Sequence, residues 1–165
     1  MASTYDSIAT NTLSSAQPSI TFNTISGSYT DLILVITPKT TLSSANLIIR
    51  FNNDSGANYC WIPLGGDGST AASLAELTNQ NQINVNQYSY PTNTNNNVTI
   101  CQIQNYANTT TWKTLLARGS NASIGTTLTV GTWMSTAAIT SITVTVDGGN
   151  LDANSTATIY GITAV

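Results

Sequence analysis

Residues 139–146 read Ile139-Thr140-Ser141-Ile142-Thr143-Val144-Thr145-Val146, and from Ile142 onward every second side chain is apolar. In an extended chain successive side chains point to opposite faces, so this spacing predicts a strand with one apolar and one hydroxyl-bearing face. The same alternation recurs in Ser19-Ile20-Thr21-Phe22-Asn23-Thr24-Ile25 and in Val98-Thr99-Ile100-Cys101-Gln102-Ile103. The i, i+3, i+4 spacing of an amphipathic helix is almost absent.

Two other segments, Asp31-Leu32-Ile33-Leu34-Val35-Ile36 and Asn46-Leu47-Ile48-Ile49-Arg50-Phe51, are continuously apolar. They predict central strands covered on both faces, by the domain itself or by a neighbouring subunit. Further strands are predicted at 59–64, 111–118, 126–134 and 157–162. Turn chemistry separates them at Asn53-Asp54-Ser55-Gly56, Gly65-Gly66-Asp67-Gly68, Gly119-Ser120-Asn121 and Asp147-Gly148-Gly149-Asn150. Short strands at this spacing predict an all-β sandwich or barrel. One short connector helix is predicted over 70–77, where Ala71, Ala72, Leu74, Ala75, Glu76 and Leu77 follow a Ser-Thr cap. Residues 79–97 are dense in Asn and Gln and carry Tyr88, Tyr90 and Pro91. They read as a long excursion with at most one short strand, little core and the contacts to a partner. Residues 1–15 read as an N-terminal arm or an edge strand, and residues 16–165 as a single sandwich domain.

Charged residues are only 7% of the 165 positions, against about 25% in ordinary soluble domains. Ser, Thr and Asn supply roughly two fifths of the chain, so the surface is built of hydroxyls and amides. The net charge is −3, and the basic residues are Lys39, Arg50, Lys113 and Arg118 alone. Such a surface cannot neutralise a run of phosphates, which argues against nucleic acid as a partner. It also offers little repulsion between copies, a property suited to close self-association. The opening MASTYDSIATNT has neither the basic flank nor the apolar run of a signal peptide, and no stretch is apolar enough to predict a membrane span.

Histidine is absent, which removes the usual general base, the Ser/His and Cys/His nucleophile systems and the commonest metal ligand together. The seven acids, Asp6, Asp31, Asp54, Asp67, Glu76, Asp147 and Asp152, sit mostly at turns or strand starts and read as capping groups. Residues 52–58 lack the ordered acids and final Glu of a calcium loop. Gly65-Gly66-Asp67-Gly68 lacks the Lys-Ser/Thr ending of a phosphate loop. No catalytic residue, cofactor or metal is predicted. Cys60 and Cys101 read as buried free thiols within apolar runs. Trp61, Trp112 and Trp133 read as core or intersubunit packing. Tyr88 and Tyr90 are the candidate contact residues, for a protein partner or for a glycan stacked on their rings.

The order of several short patterns resembles small virion proteins and fibre-terminal domains of tailed bacteriophages, including those of cyanobacteria. It begins with Tyr5-Asp6-Ser7-Ile8-Ala9-Thr10, continues through Ser28-Tyr29-Thr30-Asp31-Leu32 and reaches Arg50-Phe51-Asn52-Asn53-Asp54-Ser55-Gly56-Ala57-Asn58-Tyr59. It closes with Ala138-Ile139-Thr140-Ser141-Ile142, Gly148-Gly149-Asn150 and Ser155-Thr156-Ala157-Thr158-Ile159-Tyr160-Gly161-Ile162. The resemblance covers most of the chain apart from the Asn/Gln-rich excursion. It implies an antiparallel, jelly-roll-like β-sandwich with at most one short helix, made in the host cytoplasm and placed on the capsid exterior or tail of the virion. It also implies a symmetric homo-oligomer, often a trimer. No active site comes with it. The expected function is a non-enzymatic capsid decoration, or cement, protein that contacts itself and the major capsid protein or other virion proteins. The alternative is a tail-fibre or baseplate module that recognises host surface glycans.

Overall fold

The computed structural model describes residues 4–95 and 97–163. Among them are thirteen strands and no helix: β1 (Asp6–Thr12), β2 (Ser19–Phe22), β3 (Asp31–Thr37), β4 (Leu47–Phe51), β5 (Tyr59–Gly66), β6 (Ala71–Ser73), β7 (Leu77–Gln80), β8 (Ile83–Asn84), β9 (Asn97–Gln104), β10 (Lys113–Asn121), β11 (Gly125–Trp133), β12 (Ile142–Val146) and β13 (Thr156–Ile162). They form two antiparallel sheets. The larger runs β1-β13-β3-β9-β10-β11-β5-β6, with β7 also on β5, and the smaller runs β2-β12-β4-β8. The fold is an all-β, jelly-roll-like sandwich in which most neighbouring strands are distant in sequence.

Strand β12 shows how the composition makes such a sheet. Ile142, Val144 and Val146 are buried against the larger sheet, while Thr143 and Thr145 lie on the other face. Each fully buried Ile or Val contributes about 1.5–3 kcal/mol. Outward threonines pair across strands: Thr10 with Thr158 at 3.0 Å, Thr12 with Thr156 at 2.9 Å and Thr21 with Thr143 at 3.3 Å. These hydroxyl ladders take the place that charged pairs hold in ordinary sheets.

The N-terminal segment is an edge strand, since β1 pairs along β13 from Asp6 opposite Gly161 to Thr12 opposite Thr156. Residues 1–3 of the proposed arm lie outside the described residues. The continuously apolar β3 and β4 are interior strands, and Ile33 and Ile48, on the faces turned from the main core, are also buried.

Three expectations are corrected. The helix over 70–77 is absent: Ala71–Ser73 is β6, paired with Leu64, Gly65 and Gly66, and Leu77–Gln80 is β7, paired with Tyr59 and Trp61. Helix propensities differ by only tenths of a kcal/mol per residue, and an eight-residue helix is marginal. The open edge of β5 instead pairs the backbone at once, because Asp67 Oδ1 accepts from the Ser69 and Thr70 amides at 2.9 and 2.7 Å and turns the chain straight back. Gly119-Ser120-Asn121 is not a turn but the end of β10, and the turn follows it, with Ile124 N donating to Asn121 O at 3.2 Å. Gly119 is there for space, since a Cβ would come within 2.9 Å of Ser89 Oγ. Cys60, expected to be buried, is only half-buried, whereas Cys101 is fully buried, and both thiols are free.

The turn after β4 joins both sheets. The Asp54 carboxylate accepts from Gly56 N at 2.8 Å, Asn58 Nδ2 at 2.9 Å and Trp133 Nε1 at 2.7 Å. Tyr59 Oη accepts from Phe51 N at 3.1 Å and donates to the Asp54 carbonyl at 3.2 Å. Burial pushes this phenol up to about 12, so it stays protonated and can do both. The Trp133 indole holds the Asp54 carboxyl below its ordinary range against partial desolvation, with Asn58 and the Gly56 amide adding to the effect. A carboxyl lowered in the folded state contributes stability above its unfolded pKa of about 3.9, and that contribution is lost as pH falls through the folded value. Asp54→Asn is therefore expected to flatten the acid limb of stability against pH, read as urea midpoints from neutral pH downward. An unchanged limb would refute this role.

Candidate functional site

The inner face of the larger sheet is divided. Over β3, β9 and β10 it carries Leu34, Cys101, Ile103 and Leu115, covered by the smaller sheet. Further along β9 and β10, and on β11, it becomes polar, with Asn97, Thr99, Asn121, Thr127 and Thr129 all buried. The Asn/Gln-rich excursion covers this half. Asn86 Oδ1 accepts from Leu47 N at 2.7 Å, Tyr88 N donates to Thr127 Oγ1 at 2.8 Å, and Asn121 Nδ2 donates to the Tyr90 carbonyl at 2.8 Å. Ile83, Val85, Asn86 and Ser89 are fully enclosed. The excursion is thus part of the interior, contrary to the expectation of little core there. The backbone of the excursion supplies the donors and acceptors that the buried polar sheet face needs, and its Asn86 side chain ties it to β4.

Because Thr127, Thr129 and Thr99 point inward, their apolar neighbours point out. Leu128 and Val130 of β11, Leu116 of β10, Ile62 and Leu64 of β5 and Val98 of β9 are each between 38% and 49% exposed. The register aligns them. Leu116 faces Val130, which faces Ile62, in one row across three strands; Arg118 faces Leu128, which faces Leu64, in the next. The rows continue to Gln102 and Ile100 on β9, beyond which Ile33 on β3 is buried and Val35 half-buried. At about 4.8 Å between strands and 6.8 Å between rows, the two rows over β9, β10, β11 and β5 measure roughly 19 by 14 Å, and with the flanking rows of Cys60 and of Val98 the outer face measures roughly 19 by 27 Å. Apolar rows grouped in this way make the face the candidate interaction surface of the domain.

Few charges touch it. Arg118 sits among Ile100, Leu116 and Leu128 and has no hydrogen bond or ion pair among the described residues; the one ion pair found there is Lys39 with Asp152 at 3.8 Å. Cys60 lies on the same face, one row beyond Ile62. Partial burial and the neighbouring Glu76 carboxylate push its thiol up, which makes it a poor nucleophile.

Tyr88 and Tyr90 are half-buried and line a cleft of about 600 Å³ with Asp67, Thr70, Gln87 and Ser123. Tyr88 lies over Gly65, where any Cβ would collide with its ring. Tyr90 and Gln87 also border a second cleft beside Asn46 and Asp147. The structure therefore brings the two tyrosines together, on the rim of the excursion. Trp61 and Trp133 are core residues, Trp133 5.8 Å from Phe51 and 6.4 Å from Tyr59 between ring centroids. Trp112 is 59% exposed, outside the core. Among the described residues no cluster of three or more metal-ligating side chains occurs. Sequence reading missed the outer apolar face, although Leu115-Leu116 and Trp61-Ile62-Pro63-Leu64 carry apolar groups at both parities, the available signal.

No protein-family model matches the chain, and no curated protein matches it.

Proposed function

We propose that this chain is a structural protein of a virus particle, a capsid decoration protein that works through protein–protein contacts. The observation that carries the reading is the apolar outer face of β9, β10, β11 and β5, on a protein with 7% charged residues. A face of this kind gains stability only when covered, and a nearly uncharged surface lets many copies crowd without repulsion. The order of sequence patterns, which resembles that of small phage virion proteins, points to the same setting. The test is the copy number of this chain in purified particles, by quantitative mass spectrometry. A number comparable to the major shell subunit supports decoration; a few copies per particle overturns it.

The tyrosine cleft supports a second reading, a receptor-binding module for surface glycans. Tyr88 and Tyr90 supply ring surface, and Gln87, Asp67 and Thr70 supply the polar groups that sugar hydroxyls require. Binding to host-derived glycans that is lost in a Tyr88→Ala/Tyr90→Ala variant, with low copy number in particles, would favour it over decoration.

A further inference from the structure

We propose that the apolar face pairs with the same face of a second copy about a two-fold axis lying between the two sheets and crossing Val130, so that Arg118 of each copy meets Glu76 of the other. The pairing rests on the reading of that face as an assembly surface and names its first partner.

The face carries its own charge complement. Arg118 is the sole basic residue in its apolar rows, and Glu76 stands at the rim beside Cys60. Within one chain the two cannot meet. Arg118 and Cys60 are two strands and four residues apart, or about 17 Å from standard sheet spacings. Their midpoint is defined by the register: Arg118 lies beside Leu128 and Cys60 beside Thr132, on opposite sides of β11, and Val130 is halfway. A two-fold axis in the interface plane, through that midpoint and perpendicular to the line joining the charges, exchanges them. Arg118 of one copy then lies over Glu76 of the other, and the reverse, as an isologous contact requires. The same operation sets Val130 against Val130 and brings Leu128 over Ile62.

The size is sufficient for a specific contact. With its flanking polar rows the face covers roughly 500 Å² per copy and so removes about 1,000 Å² in total, the lower bound for a stable interface. That axis lies about 55° from the strands, so facing strands cross at roughly 70°, near the orthogonal class of sheet packing. A foreign partner would need a carboxylate placed opposite Arg118; a second copy already has one.

Sedimentation velocity of the purified full chain over a concentration series tests this. The expected result is a dimer that Arg118→Glu or Glu76→Arg alone weakens by at least about tenfold, through like charges brought face to face, and that the double exchange restores. Val130→Lys, at the axis, should abolish the dimer in either charge background. These side chains are exposed, so an unchanged thermal unfolding midpoint confirms the folded state of each variant. A chain that stays monomeric, a trimer, or a dimer indifferent to both single exchanges would overturn the pairing. Because no particle is involved, failure here is distinct from failure of the copy-number test.

Discussion

Phe51→Ala is expected to cost about 3–5 kcal/mol, the range for truncating a fully buried aromatic residue. Phe51 ends β4, is fully buried and lies 6.5 Å from the Tyr59 ring and 5.8 Å from Trp133. Removing it leaves a cavity between the sheets and strips two aromatic neighbours of an offset contact worth about 0.5–1.5 kcal/mol beyond burial. It also loosens the segment whose amide and carbonyl bind Tyr59 Oη. A domain of this size has about 5–15 kcal/mol in total, so the variant should show a large drop in urea midpoint and a weakened near-ultraviolet signal from Trp133. Phe51→Leu should lose less than half as much. Equal losses would mean that volume and ring contacts are irrelevant at this position.

Asn52→Ala is expected to cost about 3–4 kcal/mol, although the residue is only partly buried. Its backbone is left-handed, with φ of 52°, a region that costs an ordinary residue about 1–2 kcal/mol and asparagine less. Its side chain ties the first turn after β4 to the approach to β12: Nδ2 donates to the Ala138 carbonyl at 2.8 Å, and Oδ1 accepts from Thr140 N at 2.8 Å and Ser141 N at 3.1 Å. Each such bond contributes about 1 kcal/mol net. Asn52→Gly separates the two causes, since glycine adopts the backbone freely but makes no bonds. It should lose about 1 kcal/mol less than alanine. Identical urea midpoints for the two variants would show that backbone strain has no part.

The helix expected at 70–77 and the turn expected at 119–121 failed for related reasons. Ala, Leu and Glu favour a helix weakly, and that preference was outweighed by the open edge of β5 two turns of chain away. Glycine marks a turn when φ is positive, but Gly119 marks the place where Ser89 and Thr99 leave no room for a side chain. Neither neighbour is near it in sequence. Tyr88 and Tyr90 were legible as candidates because they stand out in a polar segment. That they share a cleft with Asp67 and Gln87 followed only from the path of the excursion.

The sequence by itself determined that the chain is all-β, where nearly every long strand lies and that charge has little part in its surface. These are local properties: a period of two and the turn chemistry of Asn, Asp and Gly act within a few residues. Only the tertiary structure decided which face of each strand is inside. In Thr127-Leu128-Thr129-Val130 the alternation alone assigns the leucine and valine to the core, yet both threonines are buried and both aliphatic residues are exposed. Period two states that neighbours lie on opposite faces but not which face the rest of the chain will cover. That was settled by the excursion, whose Tyr88 amide and Ser89 and Tyr90 carbonyls hydrogen-bond to Thr127, Asn97 and Asn121 of the polar half of the sheet. The aliphatic side chains were thereby turned outward into the surface that the assembly reading uses.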